Sequence, residues 1–133
     1  MQKINFELTF DNYITNNIFA KVAVMKSLKE IGKTFNPLYI YGNNEKEKKH
    51  IIHASANYIV NNINKRIVFV SGDEFIKDCD NSKILDDKYL NTEVLIFENI
   101  EKLENLSNVQ ANFIYLFNHL YDMHKQMIIT SKK

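Results

Sequence analysis

Short apolar runs alternate along the chain with stretches in which apolar residues recur every three or four positions. The runs predict buried strands, and the longer spacing predicts amphipathic helices. Strands separated by helices indicate a mainly parallel sheet covered by helices on both faces, which is an α/β fold. The predicted strands are Leu38–Tyr41, Arg66–Val70, Val94–Phe97 and Gln126–Thr130.

The helical patterns lie before and between these strands. The first spans Asn17–Ile31, and Gly32 supplies its left-handed end. Its spacing predicts an inward face formed by Ile18, Val22, Met25 and Leu28. The other predicted helices are His50–Asn61, a short one opened by the capping box Ser71–Glu74, a turn or two near Ile84, Leu85 and Tyr89, and a long one capped by Ser107 with Gln110.

The composition is that of one folded domain. Apolar residues make up 45% and charged residues 25% of the chain, and no linker or repeat divides it, so residues 1–133 are predicted to form one domain. Seventeen basic residues face sixteen acidic ones, and Arg66 is the only arginine, which disfavours direct nucleic-acid binding. Cys79 is the only cysteine and no apolar run reaches membrane-spanning length, so we expect a cytoplasmic protein with no membrane association.

The segment after the first predicted strand has the layout of a phosphate-binding loop. Such a loop reads G-x-x-x-x-G-K-[ST], because small residues let backbone N–H groups surround the phosphates. Gly42 and Lys48 occupy matching positions, but Glu47 replaces the second glycine and Lys49 the hydroxyl residue, while Glu45 adds another carboxylate. Gly42 and Lys48 are therefore predicted to be the remnant of an inactive nucleotide loop, and we expect no cofactor.

Five segments resemble, in order, the AAA+ core of the bacterial replication initiator DnaA and its shorter Hda-type relatives. The similarity extends from about Leu8 to Ser131. It implies a P-loop α/β fold and a function in the control of chromosomal replication initiation. The segments are Thr9–Tyr13, Asn36–Gly42, His50–Ala54, Val70–Ile76 and Gln126–Ser131.

The same resemblance implies that several ATPase positions are changed. Glu98 and Asn99 stand where the family has two acidic residues, one for Mg²⁺ and one for the attacking water. Asn99 cannot act as a base, so Glu98 is at best a vestigial metal ligand. Lys132 stands at the family's sensor position. The fifth strand, the arginine finger and the helical lid would lie beyond Lys133, so we expect a degenerate AAA+-like domain that is not an enzyme.

Three functions compete on this basis. The first is a non-catalytic interaction module that binds a protein partner of the replication initiation machinery. The second is a weak ATP binder or residual ATPase that uses Lys48 and Glu98, and the third is an initiator fragment that binds single-stranded DNA. The altered loop disfavours the second function. Balanced charge and a short segment between Ile76 and Glu93 disfavour the third, so we prefer the first.

Other reactive side chains have simpler interpretations. His50 and His53 lie one turn apart, which permits metal binding, but no third ligand is close in the sequence. We therefore expect structural roles and no metal site. Lys46, Lys48 and Lys49 could attract a phosphate, but such a run of lysines is more typical of a solvated helix face. Cys79 has no basic partner nearby in the sequence, so it is not predicted to be a catalytic thiol.

Without a fifth strand, Leu38–Tyr41 would be an open apolar sheet edge, which favours aggregation unless it is covered. Ile4, Phe6 and Leu8 alternate with polar residues, so this segment is predicted to be extended and to pair with that edge. Packing of the segment as a loop against the first helix is the alternative. A homodimer joined through Leu38–Tyr41 would also cover the edge.

Overall fold

Four parallel strands form the centre of the fold. The computed structural model describes residues 1–15 and 17–132. The sheet order is β1-β4-β3-β2, and every neighbouring pair is parallel. All four predicted strands are confirmed, to within one residue at each end. They are β1 (Leu38–Tyr41), β2 (Ile67–Ser71), β3 (Val94–Glu98) and β4 (Gln126–Ser131).

Helices cover both faces of this sheet, as predicted. On one face α1 and α2 pack against Phe69, Ile96 and Ile128, and on the other α3 and α5 pack against the alternate residues of the same strands. In the described part of the chain, no helix is long and apolar enough to cross a membrane. The helices are α1 (Ile18–Lys29), α2 (Glu45–Tyr58, continued by a π turn at Ile59–Ile63), α3 (Gly72–Asp78), α4 (Ser82–Ile84, continued by a π turn at Leu85–Tyr89) and α5 (Ser107–Asp122), with a 3-10 turn at Ile100–Leu103.

The inward face predicted for α1 is confirmed only for Met25 and Leu28, which pack in the core. Val24, Ser27 and Leu28 are its buried residues, whereas Ile18 and Val22 are exposed. Five of the six residues at positions 18–23 are apolar, so their spacing does not determine which side is buried. Ser27 is accepted in the core because its hydroxyl donates to the Val24 carbonyl oxygen over 2.7 Å.

The amino-terminal segment does not pair with β1, so that prediction is also wrong. The Gln2 N–H donates to the Phe69 carbonyl oxygen (2.6 Å), which belongs to β2 at the opposite edge of the sheet. The Asn5 N–H donates to His53 Nδ1 (3.0 Å), and the Asn57 amide donates to the Phe6 carbonyl oxygen (3.1 Å). Polar groups of α2 thus hold this segment as a loop. Among the described residues β1 has a neighbouring strand only on its β4 side.

Two local expectations also need correction. Leu38–Tyr41 was expected to be fully buried, but Tyr39 and Tyr41 are exposed because they belong to an edge strand. The long helix α5 has Leu106 at its N-cap position and no side-chain cap. Gln110 instead donates to the Leu103 carbonyl oxygen over 2.9 Å, which fixes the turn that precedes the helix.

Candidate functional site

The candidate site lies where β1 passes into α2. The helix predicted to begin at His50 begins at Glu45, so the loop after β1 is shorter than expected. Asn44 is the N-cap, and its Oδ1 accepts the N–H of Glu47 over 3.0 Å. The Asn44 amide donates in return to Glu47 Oε2 over 3.2 Å. This reciprocal cap adds helical residues where a phosphate-binding loop has open backbone.

Backbone N–H groups along this connection already have acceptors within the protein. The Gly42 N–H donates to the carbonyl oxygen of Ser131 at the end of β4 (3.2 Å). The Glu47 N–H is taken by the Asn44 side chain, and the Lys48 N–H donates to the Asn44 carbonyl oxygen (3.1 Å). A phosphate loop works by leaving such groups free to surround an anion. In this protein the N–H groups of Gly42, Glu47 and Lys48 are instead used in hydrogen bonds within the chain.

The solvated position predicted for Lys48 is wrong, because this residue is buried, with 6% of its surface exposed. Its Nζ lies 2.6 Å from the carbonyl oxygen of Gly42, 2.9 Å from that of Ser131 and 2.8 Å from Glu45 Oε1. An ammonium group has three N–H donors and no acceptor. All three donors of Lys48 therefore have partners within the protein, and the side chain ties α2 to the ends of β1 and β4.

The Glu47 carboxylate is held beside the loop by hydroxyl groups. The Tyr13 hydroxyl donates to Glu47 Oε1 over 3.0 Å, and the Thr15 hydroxyl makes a short hydrogen bond to the same oxygen. Burial, together with the nearby Glu47 charge, raises the pKa of Tyr13 even though its contact with Thr15 lowers it. Tyr13, Glu47 and Lys48 line a cavity of about 140 Å³. A carboxylate on its wall repels a phosphate.

The other vestigial positions lie at the carboxyl ends of β3 and β4. Glu98 Oε1 accepts the Gln2 side-chain amide over 2.9 Å. Asn99 adopts a left-handed conformation (φ 64°), and its N–H donates to the Thr130 hydroxyl over 3.1 Å. In the described part of the chain, no group of three or more His, Cys, Asp or Glu side chains is arranged to hold a metal ion. The structure thus brings Gly42, Lys48 and Glu98 to one end of the sheet without forming a metal centre.

The two histidines of α2 serve different contacts. His50 Nε2 lies 2.9 Å from the carbonyl oxygen of Thr9 and 2.9 Å from Asn12 Oδ1. His53 is buried, and its ring packs edge-on against Phe69 with a centroid separation of 5.0 Å. Burial lowers the pKa of His53; the charge of Glu98 opposes this shift, and the proximity of Lys49 and His50 adds to it. Both histidines hold the amino-terminal loop, in agreement with the predicted structural roles.

Comparison with known proteins gives the family. The family model described as the bacterial DnaA ATPase domain matches residues 4–133, nearly the whole chain. The chain belongs to this DnaA family. A chromosomal replication initiator protein DnaA from Acholeplasma laidlawii is 34% identical to it over 141 residues. That alignment covers 98% of this chain and 31% of the relative, so the chain spans about a third of the length of this curated DnaA.

Solved DnaA structures share the fold. Domain III of DnaA from Thermotoga maritima superposes with a TM-score of 0.90 at 27% identity, covering 99% of this chain and 59% of that one. A replication initiator DnaA bound to AMPPCP and single-stranded DNA gives a TM-score of 0.89 at 25% identity and covers 99% of this chain and 44% of that one. The DnaC helicase loader, at 19% identity and a TM-score of 0.74, shares the fold alone. The predicted family and AAA+ fold are confirmed.

The DnaA family implies a bound nucleotide, so the residues of this loop have to be compared with what a Mg²⁺–triphosphate requires. The Lys48 ammonium has no free donor, the N–H groups of Gly42, Glu47 and Lys48 are used within the protein, and Lys49 offers no hydroxyl for Mg²⁺. In this conformation these residues do not fit a nucleotide. Sequence reasoning placed Gly42 and Lys48 in the site but missed Asn44, although its three-residue spacing from Glu47 is a helix-start signal.

Proposed function

We propose that this chain is a DnaA-type domain that neither binds nor hydrolyses ATP and that acts in the cytoplasm through protein contacts in the control of chromosomal replication initiation. The observation that carries the proposal is the full occupation of the Lys48 ammonium by Gly42, Ser131 and Glu45. A lysine in this state can bind a phosphate only by giving up three partners inside a buried site. The remaining use of the family fold is to present a surface to another protein.

Direct binding of DNA is not part of this proposal. The region from α3 to β3 lies where single-stranded DNA would be held according to the family resemblance, and it is rich in carboxylates. Asp80, Asp86 and Asp87 are exposed there. Nucleic-acid affinity depends on cations that replace the counterions of the phosphates, and exposed carboxylates oppose this. We therefore propose a protein partner from the initiation machinery instead of a nucleic acid.

The open edge of the sheet supports protein contact. Residues Leu38–Tyr41 form β1, which has a neighbouring strand on one side only within the described chain. Tyr39 and Tyr41 stack with their ring centroids 5.7 Å apart and are exposed beside it. Edge strands readily pair with another chain. A partner strand, or a second copy joined through Leu38–Tyr41, fits this surface.

The experiment combines a turnover assay with an interaction assay. The purified chain is expected to release no phosphate from ATP. When it is added in rising amounts to an intact DnaA from the same organism, ATP turnover or assembly of that DnaA, followed by light scattering, should change at stoichiometric concentrations. Phosphate release by the chain alone would contradict the proposal that the chain does not hydrolyse ATP. If the ATP turnover and light scattering of the intact DnaA stay unchanged at all ratios, the proposal that the chain acts through a protein partner is contradicted.

A further inference from the structure

A cavity of about 410 Å³, which we call the α5 pocket, lies between the edge strand β1 and the first half of α5. Its walls are apolar where Ile100, Leu103, Phe113 and Ile114 line it, and Tyr39 of β1 lines it as well. Its volume is typical of ligand sites in proteins. The nucleotide loop lies elsewhere, so this pocket has no role in the account given so far.

One polar atom at the wall of the α5 pocket needs a hydrogen-bond donor. Glu101 lines the pocket, and its Oε1 accepts the backbone N–H of Lys132 over 2.7 Å. Its Oε2 is buried and has no hydrogen-bond partner among the described residues. Such an oxygen is costly to bury, and native proteins rarely retain one. The side chain as a whole is only half-buried, so a small rotation of the carboxylate brings Oε2 to the pocket.

The charges and rings of the pocket select one kind of donor. Glu101 and Glu104 both line it, and none of the described residues that line it is basic. A positively charged donor makes the stronger hydrogen bond to a carboxylate. Apolar walls accept the methylene stem of a long cationic side chain, and the rings of Tyr39 and Phe113 favour a planar guanidinium over an ammonium. The pocket therefore has the features of a site for arginine.

A second copy of this chain is not the source of such an arginine. Arg66 is the only arginine in the sequence. Its Nε and Nη2 both donate to the Asn91 carbonyl oxygen, over 3.3 and 3.1 Å, and Nη2 lies 3.8 Å from Glu93 Oε1. This guanidinium is already engaged within its own chain. The arginine that fits the α5 pocket therefore belongs to a different protein.

We propose that the α5 pocket binds an arginine side chain of a protein partner. Its guanidinium donates to Glu101 Oε2 and so supplies the donor that the chain itself lacks there. A neighbouring apolar residue of the partner packs against Ile100 and Ile114. The inference rests on the proposed function only in taking the partner to be a protein, and it involves neither Lys48 nor the nucleotide loop.

The capped peptide acetyl-Leu-Arg-Leu-amide is the probe for this site, titrated into the unaltered chain and followed by amide NMR. It should shift the resonances of Ile100, Ile114 and Ser131 saturably. The counterpart with citrulline keeps the shape of arginine without its charge and should bind about tenfold more weakly. The counterpart with lysine should also bind more weakly. No saturable shift at millimolar peptide, or equal affinity for arginine and citrulline, would overturn the proposal. Equal affinity for lysine would overturn the assignment to a guanidinium.

A variant of Glu101 tests the acceptor itself. Glu101→Gln keeps an oxygen for the Lys132 N–H but puts an amide donor in place of Oε2, so the arginine peptide should lose about tenfold in affinity and the citrulline peptide much less. Glu7→Gln, the same change at an exposed position, is the matched control and should bind like the unaltered chain. Unchanged arginine binding by a folded Glu101→Gln variant would overturn the proposal. These titrations contain no intact DnaA, so their outcome is separate from that of the turnover and scattering assay.

Discussion

The ammonium nitrogen of Lys48 lies 2.9 Å from the carbonyl oxygen of Ser131, which is 83 residues further along the chain. The same nitrogen reaches the carbonyl oxygen of Gly42. A residue that the family resemblance assigns to nucleotide binding thus joins α2 to the ends of two strands. The strand, turn and helix keep the arrangement of the family fold, while the lysine makes its hydrogen bonds within the protein.

This relationship predicts that Lys48 stabilises the fold. Lys48→Met removes the charged donor that the Gly42 and Ser131 carbonyl oxygens share in a buried site, which should lower the free energy of unfolding by about 1–3 kcal/mol. Urea denaturation measures the change. Lys46→Met, an exposed position on the same helix, is the matched control and should change stability by less than about 0.5 kcal/mol. Equal unfolding midpoints for Lys48→Met and the unaltered chain would show that the ammonium is not held as described.

The buried ring of His53 predicts a loss of stability in mild acid. Because burial lowers its pKa, the folded state binds a proton less readily than the unfolded state, whose histidine titrates near pH 6.5. The contribution of the buried His53 ring to the free energy of unfolding is complete above about pH 6.5. It is lost as pH falls through about 6.5, with a slope of at most about 1.4 kcal/mol per pH unit.

His53→Asn keeps an acceptor for the Asn5 N–H and removes the titrating group, so stability should fall less steeply between pH 7 and 5. Urea denaturation at several pH values measures the slope. The matched control is His124→Asn, since His124 is exposed and asparagine tolerates its left-handed backbone. A pH slope that is the same in His53→Asn and in the unaltered chain would mean that His53 does not carry this effect.

The charge distribution predicts weak binding to DNA. At physiological salt, fluorescence anisotropy with labelled single- and double-stranded oligonucleotides should show no tight, salt-sensitive association, because the net charge of +1 offers little counterion release. Replacing Asp86 and Asp87 by lysine should raise affinity only slightly. Submicromolar binding by the unaltered chain that weakens steeply with salt would instead favour the single-stranded DNA-binding function.

The strands β2, β3 and β4 could be predicted from the sequence because most of their residues are buried on both faces of the sheet. Val94–Phe97 is a continuous apolar run, and all four of its residues are buried. The side of α1 that faces the core could be predicted only in the second half of the helix, since five of the six residues at positions 18–23 are apolar. The alternation of Ile4, Phe6 and Leu8 was misleading. There, hydrogen bonds from distant side chains such as His53 and Asn57 decide the position.

The candidate site was predictable in its positions but not in its contacts. Local spacing identifies Gly42 and Lys48 as the remnant of a phosphate loop. The acceptor on Ser131 is far away in sequence and is a backbone oxygen, so no residue type signals it. The early start of α2, by contrast, is encoded locally by Asn44 and Glu47. Helix capping and the inward lysine together explain why the loop is closed.

A variant in which the residues of a phosphate-binding loop are restored provides a complementary test. Glu45→Gly removes the ion-pair partner of Lys48, Glu47→Gly removes the carboxylate and half of the helix cap, and Lys49→Thr supplies a hydroxyl for Mg²⁺. The triple variant should regain part of the nucleotide binding, since the strand and helix still frame the same point. A folded triple variant that shows no binding would count against the P-loop framework of the site.

Calorimetric titration of the unaltered chain with ATP–Mg²⁺ tests the central claim most directly. We expect no binding heat beyond that of dilution in the micromolar range, and no rise in melting temperature with ATP–Mg²⁺ over Mg²⁺ alone. Saturable heat with a one-to-one endpoint, accompanied by a melting temperature several degrees higher, would show that Lys48 releases its partners to hold phosphate. That result would contradict the claim that the protein itself fills this site.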